Sequence, residues 1–179
     1  VRQLLVEHTH FNDPEKREHI RRLLIRAAQQ KTIPIVNYND PVSDEENRKM
    51  ELAIRRSHGD QVVECVDNDE TAAVIANLVH AKKLVLMTST EGIYRDPADP
   101  KTLVEQVTAK SMEELEEKVR QLQESCVGAS RAGANGAKAK LEYALKSARQ
   151  GTMVIIGHAR HRLSDLVEGR VACTRIGLE

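Results

Sequence analysis

The stretch "GASRAGANGAKAK", residues 128–140, sets Lys138 and Lys140 behind Gly128, Gly133 and Gly136. Glycines let a backbone come close to a ligand, and a helix opening nearby would turn free N–H groups toward an anion. The chemistry this suits is the holding of phosphate. It is not a P-loop, since no Gly-Lys-Ser/Thr follows at the required spacing, and a flexible surface loop accounts for the same residues. Two other clusters carry amides and carboxylates, "NYND" at 37–40 and "DND" at 67–69. Asp attracts an ammonium and Asn donates to oxygens, so the two together suit a ligand bearing an amine and a carboxylate. Asp67, Asn68 and Asp69 taken alone read equally as a turn and helix N-cap. Two such clusters on consecutive strands favour one pocket, lined by Asn37, Asn39, Asp40 and Asn68.

The elements that must position these groups alternate. Asp13 and Pro14 write a helix start, followed by an apolar stripe of Ile20, Leu23, Leu24, Ala27 and Ala28. "TIPIVN" reads as a short buried strand in which Pro34 pairs weakly or stands near the start. Ser43 with Glu46 forms a capping box, and Met50, Ala53 and Ile54 give its helix one apolar face. "QVVECV" reads as a strand and "ETAAVIANLVHA" as a helix. "KLVLM" is a continuous apolar strand covered on both faces, and "TSTEGIYRDPADP" is loop. Ser111 with Glu114 caps the next helix. "KAKLEYALKSARQ" is a helix ended by Gly151, "MVIIG" is the last clear strand, and a short helix lies near "LSDLVEG". The order predicts an α/β fold, a mostly parallel sheet sandwiched between helices. In such sheets ligands bind beyond the carboxyl ends of the strands, where "NYND", "DND", "TSTEG" and "GHARHR" all fall.

Composition narrows the classes. Lys plus Arg and Asp plus Glu each number 27, so no net field recruits nucleic acid or an anionic membrane. The longest apolar runs are too short to cross a bilayer, and Val1 leads no recognisable signal peptide. Cys65, Cys126 and Cys173 are odd in number and widely spaced, which suits a reducing cytoplasm. His8, His10, His158 and His161 lack metal-site spacing and read as surface residues. The charges of "HARHR" read as a solvated face, in a position where a nucleotide contact is open.

Taken in order, "IPIVNYND", "DND" before an Ala-rich helix, "KLVLMTSTEGIYRDP", "GANGAKAKL" and "MVIIGHARHRLSDLVEG" resemble the amino acid kinase family, and within it the kinases that act on glutamate. "QLLVEHTHFNDPEKREHIRRLLIRAAQQKTIPIVN" extends the resemblance over nearly the whole chain. The resemblance implies ATP-dependent phosphorylation of the glutamate side-chain carboxylate to an acyl phosphate, in proline biosynthesis. It implies ATP and Mg²⁺ as cofactors, a small-molecule substrate, and a cytoplasmic homo-oligomer. Asn37, Asn39, Asp40 and Asn68 would bind substrate, and Asp67, Asp69 and Lys140 would be catalytic. Thr88, Ser89, Gly92 and Tyr94, with Gly133, Ala134, Asn135, Gly136, Ala137, Lys138, Ala139 and Lys140, would bind the nucleotide. Tyr38 stands where the family has Glu, Asn135 and Ala137 where it has Gly and Met, and Ala139 where it has Thr. The stretch 41–66 is longer than the family needs. The family's opening strand, with its Gly-rich turn and lysine, has no counterpart. The expectation is therefore a single domain, residues 1–179, holding the C-terminal two-thirds of the fold. Two alternatives remain: a family member acting on another carboxylate, carbamate or phosphate, and an inactive ligand-binding or regulatory domain.

Overall fold

The computed structural model describes residues 1–39, 53–57, 68–125 and 136–179. The expected Ser43–Glu46 capping box, Met50, the "QVVECV" strand, Cys65 and Cys126 lie outside the described residues, as do Asp40, Asp67 and the loop through Asn135. The chain divides into two compact units, Val1–Val74 and Ile75–Glu179.

The first unit opens with strand β1, Arg2–Val6, a short helix α1, His8–Asn12, helix α2, Pro14–Gln29, and strand β2, Pro34–Tyr38. The start of α2 is the one its sequence predicts. Asp13 Oδ1 accepts the N–H groups of Glu15 and Lys16 at 2.9 and 3.1 Å, and Pro14 fills a position that needs no donor. Its buried stripe is narrower than expected: Ile20, Leu24 and Ala27 are buried, Leu23 is half-buried and Ala28 exposed. β1 and β2 pair in parallel with Val6 opposite Tyr38. The connection is thus a β-α-β unit, with α2 packed on β2. Val6 and Tyr38 are buried, whereas Ile35 and Asn37 alternate to the exposed side, so β2 is not the buried strand its apolar residues suggest: one of its faces is left uncovered. Residues 53–57 are helical, with Ala53 and Ile54 exposed, so the described part of that helix does not bury the face expected of it. Helix α3, Asn68–Leu78, starts in this unit and ends in the next.

The second unit holds strands β3, Lys83–Thr88, β4, Gln106–Ala109, β5, Met153–His158, and β6, Thr174–Leu178. Its helices are α4, Met112–Ser125, α5, Gly136–Ala148, and α6, Leu163–Glu168. The sheet order is β3-β5-β6-β4, with β3–β5 and β4–β6 parallel and β5–β6 antiparallel. Together with β1–β2, the pairing is mostly parallel and the fold is α/β, as expected. Val154, Ile155 and Ile156 are all fully buried, so both faces of β5 are covered. Ile155 packs with Leu166 of α6 and with Cys173. Gly157 follows on that face, where an added Cβ would lie 2.3 Å from Leu166 Cδ2; a hydrogen there is what admits α6 so closely. Helices α4 and α5 pack on each other and on β6. α4 is capped by Ser111 Oγ, which accepts the Glu114 N–H at 3.2 Å, and it buries Leu115, Val119 and Leu122.

Strands β1, β4 and β6 go beyond the sequence expectation, and β6 replaces "MVIIG" as the last strand of the chain. β4 is four residues long with only Val107 and Ala109 buried, and β6 reads "TRIGL" with a polar residue at each of its first two positions.

Candidate functional site

Two polar clusters stand at carboxyl ends of parallel strand pairs, one in each unit. In the first unit, the β1–β2 ladder continues one step past the strands, with the Asn39 N–H donating to Val6 O at 2.9 Å. That step sets Asn39 beside Glu7. The Asn39 side-chain amide donates to Glu7 Oε1 at 2.8 Å, and the Glu7 N–H donates to His10 Nδ1 at 2.9 Å. Because an amide has two N–H donors and a carbonyl, this bond employs one of the three hydrogen-bonding functions of Asn39. His8 is buried rather than at the surface, with Nδ1 3.5 Å from the hydroxyl of buried Tyr38. The Asn12 amide donates to His8 O at 2.9 Å, and Asn12 O accepts from Arg55 at 3.1 Å. Glu7 is not among the residues the sequence marks out, and His8 and His10 read there as surface histidines. The only signal that could have found them is the parallel register, which makes residues 7 and 39 neighbours.

Asn37 is exposed on the open side of β2. Asn68 is exposed at the first position of α3, and Asp69 is half-buried in its first turn, where carboxylates favour the positive end of the helix. The structure brings Asn39 to Glu7; Asp40 and Asp67 lie outside the described residues.

In the second unit, Thr88 and His158 are register partners at the ends of β3 and β5. The Ala159 N–H donates to Thr88 O at 2.8 Å, joining the loops that leave the two strands. Thr88 is half-buried and Ser89 exposed. Gly92 is buried against β6: an added Cβ would stand 2.4 Å from Thr174 Oγ1. Tyr94 bridges to Leu103 across the loop. Glu91 receives Arg160 on Oε1 and meets His161 Nε2 at 2.6 Å through Oε2. "HARHR" is therefore more than a solvated face, since Arg160 and His161 are tied to the loop after β3.

α5 begins at Gly136, whose φ of 62° is readily reached only without a side chain. Ala137, Ala139 and Lys140 are half-buried and Lys138 is exposed, its carbonyl accepting from Gln123 at 3.0 Å. Gly133, Ala134 and Asn135 lie outside the described residues. A cleft of about 380 Å³ lined by Arg95, Gln106, Thr108, Lys118 and Glu179 includes no residue of either cluster. Among the described residues, no three His, Cys, Asp or Glu side chains are placed to hold a metal ion, and no helix is long and apolar enough to cross a membrane.

A mostly parallel α/β fold with polar groups gathered beyond its strand ends is the frame of a small-molecule enzyme or binding protein. The chain belongs to the amino acid kinase family, whose sequence model matches residues 1–158. It is 30% identical to the glutamate 5-kinase of Geobacillus kaustophilus over 98% of this chain and 42% of that protein. To the glutamate 5-kinase of Gloeobacter violaceus it is 29% identical, over 99% of this chain and 43% of that protein. The chain thus spans under half the length of these curated relatives. Its fold is similar to that of a carbamate kinase from Giardia lamblia bound to AMP-PNP, with a TM-score of 0.57 at 16% identity over 92% of this chain and 45% of that one. A protein of Aeropyrum pernix, project APE1968, shares the fold at a TM-score of 0.53 and 16% identity, over 89% of this chain and 45% of that one.

Proposed function

We propose that the protein is an ATP-dependent kinase that phosphorylates the side-chain carboxylate of glutamate, yielding the acyl phosphate used in proline biosynthesis. What carries this reading is the run of similarity to glutamate 5-kinases along 98% of the chain. It treats residues 1–179 as one amino acid kinase-like domain. The polar clusters at the strand ends supply groups of the right chemistry.

In this reading Asn37, Asn39, Asp40 and Asn68 hold the amino acid, the carboxylate of Asp40 facing its ammonium and the amides its oxygens. The nucleotide lies with Thr88, Ser89, Gly92 and Tyr94 and with the segment from Gly133 to Lys140, where the α5 N-terminus and lysine charge complement phosphate. A side-chain carboxylate oxygen of glutamate attacks the γ-phosphorus, the bond to the β–γ bridging oxygen breaks, and ADP leaves with that electron pair. Such a transfer needs positioning and neutralised charge more than a covalent nucleophile. Lys140 stabilises the charge on the transferring group, while Asp67 and Asp69 orient cationic groups around the phosphates. Mg²⁺, when bound, neutralises phosphate charge, and it is commonly held through phosphates, water and one or two carboxylates, a role that Asp67 and Asp69 fit. Family resemblance carries a cytoplasmic homo-oligomer as its assembly; exposed Leu5, Ile33 and Ile35 supply apolar surface for one.

The test is glutamate-dependent ADP release by the full-length protein, with the acyl phosphate trapped by hydroxylamine as the hydroxamate. Parallel arms with carbamate and other carboxylic amino acids separate family members. Release that is independent of glutamate but stimulated by another acceptor overturns the substrate, and no release with any acceptor overturns the kinase.

A further inference from the structure

The segment after β3 is held at three points. Thr88 O accepts the Ala159 N–H at 2.8 Å, the Glu91 carboxylate meets Arg160 and His161, and the Ile93 N–H donates to Thr174 Oγ1 at 2.8 Å. The two outer ties involve backbone groups of the segment and fix where it leaves and rejoins the sheet. The middle one is made by a side chain, that of Glu91. Glu91 is half-buried, with 17% of its side chain exposed, and His161 is 21% exposed against 64% for Arg160. A carboxylate withdrawn from water to this degree is screened less than one in a surface ion pair, and His161 is the less exposed of its two partners. An ionised carboxylate only accepts, so His161 Nε2 donates. The loop after β5 is stiffened in its turn. His158 Nδ1 accepts the Arg160 N–H at 3.0 Å, and the His158 and His161 rings meet edge to face with centroids 6.3 Å apart.

We propose that Glu91, acting through His161 and Arg160, is a positioning residue that fixes the Thr88–Ser89 turn for the nucleotide. The inference rests on the nucleotide reading of that turn given above. Glu91 stands two residues beyond Ser89, close enough that losing its anchor frees the turn, while the outer ties preserve the fold.

Binding of a non-hydrolysable ATP analogue to the full-length protein, followed by calorimetry, tests this. Glu91→Ala and His161→Ala should each raise Kd about tenfold, the scale of one charge-assisted hydrogen bond, and the double variant should be little worse than either. Arg160→Ala should do less. His161→Gln, which keeps an N–H donor at similar reach, should recover most of the affinity, and Glu91→Gln, which keeps shape without charge, should fall between. The KM for the amino acid should not move. Glu116→Ala breaks the exposed pair with Arg149 and should leave Kd unchanged. If wild type binds the analogue and Glu91→Ala and Glu91→Gln bind it as well, the positioning role is overturned and the nucleotide reading stands. Equal losses in His161→Gln and His161→Ala also overturn it. If wild type binds no analogue, the nucleotide reading itself falls and takes the inference with it.

Discussion

Thr174 and Ile93, 81 residues apart in sequence, are joined by a buried hydrogen bond in which the Ile93 N–H donates to Thr174 Oγ1 at 2.8 Å. The same hydroxyl donates to Val104 O at 2.7 Å, so one side chain at the start of β6 closes both ends of the loop that follows β3. Thr174→Val preserves shape but leaves a donor and an acceptor without their partner, at a cost of about 1–3 kcal/mol each. A lower Tm is the expected result, with Thr174→Ser recovering most of it. A Thr174→Val protein as stable as wild type would show that the hydroxyl does not hold the loop.

Gly157 makes a second prediction. An added methyl meets Leu166 Cδ2 at 2.3 Å, so Gly157→Ala should cost about 1–3 kcal/mol through overpacking. Leu166→Ala alone opens a cavity and costs about 2–5 kcal/mol. Combined, the two should cost less than their sum, because each relieves the other. Additive losses in chemical denaturation would place the strain elsewhere.

Lys138 and Lys140 differ in burial and are two positions apart, so they point to different sides of α5. Lys140→Ala should lower turnover by about a hundredfold, the scale for one preorganised charge contact with a transition state. Lys138→Ala should cost much less. Steady-state kinetics on the full-length protein decide this, and equal losses would remove the assigned distinction.

The Asp13 carboxylate is held below the usual aspartate range by the Lys16 N–H, with Glu15 N–H and the Lys16 and Arg55 charges adding to the effect against a partial desolvation. Since its folded value lies below its unfolded value, its contribution is complete above the unfolded pKa and is lost as pH falls through the folded one. Asp13→Asn keeps a capping oxygen but cannot titrate. Its stability relative to wild type should therefore improve as pH falls through the acid range. Parallel acid-melting curves that never converge would contradict the assignment.

How far the sequence could be read depended on what each element had to bury. "MVIIG" is legible because a strand covered on both faces must be continuously apolar, and Val154, Ile155 and Ile156 are so covered; "KLVLM" has the same apolar run but not the cover expected of it, since only Leu86 is buried and Met87 is exposed. β4 and β6 escape notice because Thr108, Thr174 and Arg175 break the pattern, and Thr174 is buried only because the loop satisfies its hydroxyl. Asn39 is conspicuous at a strand end, but its neighbour Glu7 is not. Nothing near residue 7 announces that β1 will pair in parallel and deliver it there. His8 fails for the same reason, since a histidine in a polar stretch looks exposed until Tyr38 covers it. Glu91 looks like one more loop carboxylate until β5 comes to lie beside β3.

The strand order β3-β5-β6-β4 also bears on how the second unit assembles in time. β5 and β6 are separated by little more than the short α6, whereas β5 reaches β3 only after β4, α4 and α5 have been placed. Closing the shorter loop loses less chain entropy, so the antiparallel β5–β6 pair is the natural nucleus and β3 docks late, on the pathway as a slow, non-local step. Mutational kinetics would register this as a high φ-value for Ile176→Val and a low one for Leu86→Ala. Strand β4, which meets β6 across as long a stretch of chain as β3 meets β5, shares this lateness, and a newly made chain would gain the turn after Thr88 only in the later part of folding.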